Sequence, residues 1–148
     1  MPFEQIRYAA DGPVGYLTLN QPDKINALSR QMIAELSEAL AGIGADENLK
    51  VVVLRAAGNH FCAGHDLSEM RGGGMQEYRS IFERCAKMMM AIRRLPQPVI
   101  AQVQGVATAA GCQLVAWCDL AVAGTDARFA TPGVKIGLFC STPMAALT

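Results

Sequence analysis

The tightest constraint on this chain is the stretch His60-Phe61-Cys62-Ala63-Gly64-His65-Asp66-Leu67, which follows the apolar run Val51-Val52-Val53-Leu54 and bends at a glycine. Such a run reads as a buried strand delivering a tight turn, and a tight turn of this kind aims backbone N–H groups into an open site. A second place of the same sort lies at Thr108-Ala109-Ala110-Gly111-Cys112-Gln113, where small residues open a helix whose first N–H groups have no intrahelical partner. Two backbone donors that converge on one oxygen form an oxyanion hole. Taken alone, the first segment is an ordinary strand-to-helix turn with Asp66 capping Leu67 to Met70.

The pattern around these two places is that of an α/β domain. Phe3 to Ala9 and Val14 to Leu19 are β-rich runs separated by Asp11-Gly12, a hairpin signal. Ser29 caps a helix on which Met32, Ile33, Leu36, Leu40 and Ile43 keep helical spacing, ending near Gly44. Lys50 to Ala56 reads as a strand covered on both faces, because its apolar residues run without alternation. After Gly72-Gly73-Gly74 comes a second amphipathic helix with Tyr78, Ile81, Phe82, Cys85, Met88, Met89 and Ile92 on one face. At that spacing the methionines read as core. Pro96 and Pro98 end the helix, Val99 to Val103 form the next strand, and a helix from about Ala109 to Trp117 precedes short strands at Leu120 to Ala123 and Arg128 to Ala130.

At 148 residues the chain reads as one domain, 1–148, and its 51% hydrophobic content suffices for a core. Formal net charge is zero, with lysines and arginines scattered, so the electrostatic footprint of a nucleic-acid partner is missing. The five cysteines, Cys62, Cys85, Cys112, Cys118 and Cys140, are odd in number and form no Cys-x-x-Cys pair, which argues against a disulfide framework and against a metal site. They read as reduced thiols of a cytoplasmic protein, and Met1 to Gln5 has no signal-peptide pattern. Residues 95–118 carry no charge, yet the prolines, glycines and glutamines among them argue for a buried strand and helix and against a membrane partner.

The two turns, with Pro22-Asp23-Lys24-Ile25-Asn26-Ala27-Leu28 upstream, resemble the enoyl-CoA hydratase/isomerase (crotonase) superfamily, whose members process acyl-CoA thioesters. The segments Gly111 to Val115, Pro132 to Val134 and Gly137 to Pro143 look most like one branch of it that is not a standard hydratase branch. The resemblance implies a spiral of ββα turns, assembly as a homotrimer or hexamer, and no cofactor beyond the coenzyme A of the substrate. The family's usual closing C-terminal helices are absent from this sequence, which stops inside what looks like the next helix and so reads as truncated.

Carried over residue by residue, the likeness makes the backbone N–H groups of His65 and Ala110 the oxyanion donors, the second helped by helix polarity. It lays Lys24, Asn26 and Ala27, with Ala63, Gly64, Asp66 and Leu67, along the coenzyme A. Lys24 reads equally as a solvated loop lysine, and Asn26 as a turn residue. The family's two acid–base glutamates align with Gln113 and Gly133. Glutamine orients water but takes no proton at neutral pH, and glycine has no side chain, so standard hydration is poorly supported. His65 is a natural stand-in base; Glu69 and Glu77 are further candidates to approach the cleft from residues 68–94, which the sequence alone does not place. Two functions follow: an acyl-CoA lyase or isomerase of fatty-acyl or related metabolism whose acid–base apparatus has changed, or a non-catalytic acyl-CoA binding or regulatory protein.

Overall fold

The computed structural model describes residues 3–137 and 139–148. Strand β1 (Ile6–Asp11) turns at Gly12, where φ is +53°, and pairs antiparallel with β2 (Val14–Leu19) from Ile6–Leu19 to Asp11–Val14. Helix α1 (Arg30–Ala45) begins where the Ser29 side chain accepts the Met32 amide at 3.0 Å, the N-cap that the sequence indicates. It is followed by β3 (Val51–Ala56), α2 (Met75–Arg94), β4 (Val99–Val103), β5 (Val106–Thr108), α3 (Ala110–Ala116), β6 (Leu120–Ala123), β7 (Arg128–Ala130) and α4 (Ser141–Leu147). Short 3-10 turns occupy Pro22–Lys24, Leu67–Met70 and Pro132–Ile136.

The strands form a five-stranded sheet in the order β1-β2-β3-β4-β6, parallel beyond the first pair, and a small parallel sheet of β5 and β7. The small sheet reveals the spiral. Cys62 bridges Ala107, and Ala107 pairs with Phe129, so three successive turns of chain stack in register. Each turn then leaves this stack at the same end, which brings residues 63–64, 108–110 and Ala130 together although they are far apart in sequence.

One face of α1 (Met32, Ile33, Leu36, Leu40, Ile43) and one of α2 (Ile81, Cys85, Met88, Met89, Ile92) are buried between the helices and the sheet. Each such side chain contributes about 1.5–3 kcal/mol when fully removed from water. Two expectations need correction. Strand β3 is fully buried only at Val52 and Leu54; its other face lies over Tyr16 and Thr18 of β2, where Arg55 stacks 4.7 Å from the Tyr16 ring and donates to Thr18 Oγ1 at 3.0 Å, so it is only half covered. Phe82 stays outside the core of α2 at 46% exposure, because its ring turns toward another partner described below.

Leu120, Val122, Phe129, Val134 and Phe139 form exposed apolar surface over the last third of the chain. Among the described residues no helix is long and apolar enough to cross a membrane.

Glu35 on α1 holds the start of β1. Its carboxylate accepts the amides of Glu4, Gln5 and Ile6 and the Gln31 side chain. Desolvation by burial pushes its pKa up, but the Gln31 and backbone donors outweigh it and leave the group below its ordinary value. A carboxylate depressed on folding contributes stability that is complete above its unfolded pKa and is lost as pH falls through the folded one. Urea unfolding midpoints below pH 4.5 should therefore fall less steeply in Glu35→Gln than in the wild type.

Candidate functional site

The turn after β3 is built to a tight specification. Phe61 is fully buried, the Phe61 and Cys62 amides both donate to Val106 O at 3.0 Å, and the Ala63 amide donates to Ile25 O at 3.0 Å. Gly64 sits at φ +98°, a conformation that L side chains rarely adopt. A Cβ added there would lie 3.0 Å from the Ala109 methyl carbon and 3.3 Å from the Ala110 nitrogen. The bare side of Gly64 is therefore what lets the first turn abut the second.

The second turn is held just as firmly. Thr108 donates its amide to Cys62 O at 2.9 Å and its hydroxyl to Ala63 O at 3.1 Å, while the Ala109 amide donates to Ala130 O at 2.9 Å. Ala109 has φ +51° and ψ −121°, a sparsely populated backbone for alanine. A Cβ on Gly111 would fall 2.2 Å from Cys62 O, so the first turn of α3 rests directly on the backbone of the other loop. Among the described residues, neither the His65 nor the Ala110 amide donates to a protein acceptor. Helix α3 has only seven residues, so its contribution is these local unpaired N–H groups more than an extended dipole.

His65 is half-buried, with its ring 5.1 Å from that of Phe82 in an edge-on arrangement, 74° between planes. Its Nδ1 is buried without a hydrogen-bond partner among the described residues. Burial depresses the imidazole pKa, so the ring is neutral at physiological pH. Gln113 is 6% exposed and lies one turn into α3; Gly133 is buried in the 3-10 turn that follows β7.

Lys24 forms an ion pair with Asp66 at 3.3 Å, its own side chain 60% exposed. Asp66 also accepts the Ser68 amide and hydroxyl, and these bonds, those to Ser68 foremost, hold its carboxyl below the ordinary range. Ala27 and Ala63 are half-buried beside this pair in sequence, and Leu67 is exposed. Asn26 is a correction. It is 0% exposed at φ +49°, its Oδ1 accepts the Gln21 amide, and its Nδ2 donates to Ala57 O and His60 O, both at 2.9 Å. Its hydrogen-bonding capacity is spent inside the protein, so it shapes the loop instead of touching a ligand.

Glu69 and Glu77, which the sequence leaves unplaced, are likewise engaged within the protein. Glu69 accepts the Arg30 amide at 2.7 Å, and Glu77 pairs with the Arg30 guanidinium, which ties the starts of α1 and α2 to the turn at Leu67–Met70. Sequence reasoning missed the Thr108 hydroxyl, the Gly111 contact and the Phe82–His65 pair. Only Gly111 left a trace, as a glycine in the first turn of a helix. Clefts of about 460 and 370 Å³ lie elsewhere, the first lined by Asp46, Lys50 and Gln97 among others, the second by Arg30, Glu77 and Arg84 among others. Among the described residues no cluster of histidine, cysteine and carboxylate side chains could hold a metal ion.

A parallel ββα spiral with two interlocked turns, each presenting a spare amide, defines a class of α/β protein whose site is made largely of backbone. A family model for enoyl-CoA hydratase/isomerase matches residues 9–146, and the chain belongs to this family. It is 51% identical over 132 residues, 88% of this chain and 45% of the relative, to enoyl-CoA hydratase domain-containing protein 3, mitochondrial, of Xenopus laevis. The Homo sapiens protein of that name is 48% identical over 132 residues, covering 88% and 44%. These relatives are the branch that the C-terminal segments resemble. Among solved structures, an enoyl-CoA hydratase of Mycobacterium smegmatis superposes with a TM-score of 0.95 at 55% identity, over 97% of this chain and 57% of that one. The human domain-containing protein 3 gives 0.93 at 44% identity over the same shares. The chain thus spans about half the length of the curated relatives it matches.

The cytoplasmic expectation is overturned by the same comparison, since these relatives are named mitochondrial. Free cysteines separate oxidising from reducing compartments but cannot choose between two reducing ones, which is why composition misled.

Proposed function

We propose that the interlocked turns bind an acyl-CoA thioester, with the carbonyl oxygen between the His65 and Ala110 amides. The observation that carries this reading is that the two turns press together at Gly64, where an added Cβ would lie only 3.3 Å from the Ala110 nitrogen, with both amides free of protein acceptors among the described residues. Fixed donors stabilise an enolate or tetrahedral oxyanion without reorganising, each worth ~10²–10³ in rate. Lys24, with the backbone around Ala27, Ala63, Gly64, Asp66 and Leu67, flanks the coenzyme A; for Lys24 to meet a phosphate it exchanges its bond to Asp66. No separate cofactor takes part. The exposed apolar surface at Leu120, Val122 and Phe129 supports the homotrimer or hexamer that the family resemblance implies.

The reaction class is a lyase or isomerase of acyl-CoA metabolism other than plain hydration, because Gln113 and Gly133 stand where the family carries its glutamates. The same two residues favour the alternative, a non-catalytic acyl-CoA binding or regulatory protein. Titrating crotonyl-CoA calorimetrically while following its turnover separates the two: binding without chemistry on any of several acyl chains removes the enzyme, and no binding removes both. Gln113→Glu is expected to introduce measurable hydration of crotonyl-CoA while leaving its affinity in place. Hydration by the unmodified chain as fast as by the variant would contradict the role assigned to position 113.

A further inference from the structure

We propose that the His65 imidazole is the proton-transfer group of this site and that Phe82, from α2, is the residue that positions it. The inference rests on the thioester reading above. Its starting point is placement: the ring is carried by the residue whose amide is the proposed oxyanion donor, so the donor and the imidazole belong to the same turn. The ring is also fixed, by the edge-on contact with Phe82 at 5.1 Å. An aromatic side chain of an amphipathic helix that stays 46% exposed while pinning a histidine serves that histidine more than the core.

The ring is unspent. Nδ1 is buried and unpartnered, and Nε2 makes no protein hydrogen bond among the described residues. A buried imidazole nitrogen without a partner costs free energy, which a fold built for stability alone would have removed with a carbonyl or hydroxyl nearby. Several charged groups on the surrounding segments pair with one another, Lys24 with Asp66, Arg30 of α1 with Glu69 and with Glu77 of α2, and Arg79 with Glu83 on α2, while the remaining charges of residues 66–92, Arg71, Arg84 and Lys87, are cationic. The thiols of Cys62 and of Cys85 on α2 are pushed up to about 12 by burial, and that of Cys112 on α3 is raised for the same reason, so they stay protonated. No acidic partner raises the imidazole, which burial holds in the neutral, proton-accepting form.

The step balances without any further reactant. Nε2 takes a proton from the carbon next to the thioester carbonyl, the C–H pair becomes the enolate double bond, and the carbonyl pair moves to the oxygen between the two amides. The imidazolium then returns a proton to the same or a conjugated carbon. With butyryl-CoA in D₂O, this appears as exchange of the α-hydrogens, read by NMR.

Wild-type exchange should show one acid limb, below the ordinary histidine value of about 6.5. His65→Gln keeps the backbone donor and a neutral side chain, and should lower exchange at least ~100-fold with crotonyl-CoA affinity retained. Phe82→Leu should slow exchange about tenfold or more at unchanged affinity, and have no further effect in the His65→Gln background. Unchanged exchange in His65→Gln, or persistence of the acid limb there, overturns the proposal. If that variant fails to fold, a wild-type profile with no acid limb at any pH below about 6.5 at which the protein stays folded overturns it as well. A wild type that binds crotonyl-CoA but exchanges nothing removes proton transfer and leaves the binding reading standing; one that binds no thioester removes the binding reading itself.

Discussion

Gly111→Ala is expected to abolish thioester binding and to destabilise the fold by about 3 kcal/mol, at the upper end of what one overpacked methyl group costs. The added Cβ would meet Cys62 O at 2.2 Å and the Cys62 carbonyl carbon and Cβ at 2.8 Å, a carbonyl group of the backbone that cannot swing aside. Helix α3 must move away from the Cys62–His65 turn, and the two spare amides then no longer address a common point. Gly42→Ala is the matching control, because nothing lies within 4 Å of its added methyl in the exposed face of α1. A glycine inside a helix costs roughly 0.5–1 kcal/mol against alanine, so that variant should gain about this much and bind normally. Urea midpoints and a crotonyl-CoA titration on both variants decide the matter: equal behaviour would mean that contact between the loops is not what aligns the site.

Asn26→Ala is expected to be nearly as damaging, with a loss of about 3 kcal/mol or more. The substitution strands the Gln21 amide and the Ala57 and His60 carbonyls, and a buried polar group left without its partner costs about 1–3 kcal/mol. It also places alanine at φ +49°, where asparagine is tolerated far better than most residues. Asn26→Asp should be no rescue, since its carboxylate would face two carbonyl oxygens that it can no longer satisfy. Chemical denaturation measures the loss directly. A change below about 1 kcal/mol in Asn26→Ala would show that the loop is held by other means, and would return Asn26 to the list of residues free to meet a ligand.

Much of the fold was legible residue by residue. Ser29 announced the start of α1, Asp11-Gly12 the hairpin, Pro96 and Pro98 the end of α2, because caps, turns and breakers act over a few residues and need no tertiary context. The strand at Val51–Ala56 was found but overburied in expectation, since an apolar run cannot reveal that Arg55 lies across from Thr18 in the sheet and reaches diagonally to the Tyr16 ring. The family could be read from three short segments because they carry its backbone geometry in their glycines and small residues. Its compartment could not be read from thiol count, and the mitochondrial names of the relatives corrected it.

The roles of individual polar side chains were the least legible. Asn26, Glu69 and Glu77 are suitable for ligand contact by chemistry, yet each is engaged by a partner 30 or more residues away. A hydrogen bond of that reach depends on where the chain returns, and sequence spacing holds no record of it. The same holds for Phe82, which helical periodicity assigns to the core and which the structure turns toward His65.

By itself, then, the sequence determined the order of strands and helices apart from the short β5 at Val106–Thr108, the two glycine turns, and the absence of carboxylates at positions 113 and 133, all properties of local chemistry. Only the tertiary structure decided that Gly64 and Gly111 press one turn onto the other, that Asn26 is structural, and that His65 keeps an unused nitrogen against Phe82. Those depend on stacking successive turns of the spiral, a register set by Cys62, Ala107 and Phe129 across the small sheet. Packing of that kind is settled by volumes and backbone hydrogen bonds between distant segments, which no local pattern encodes.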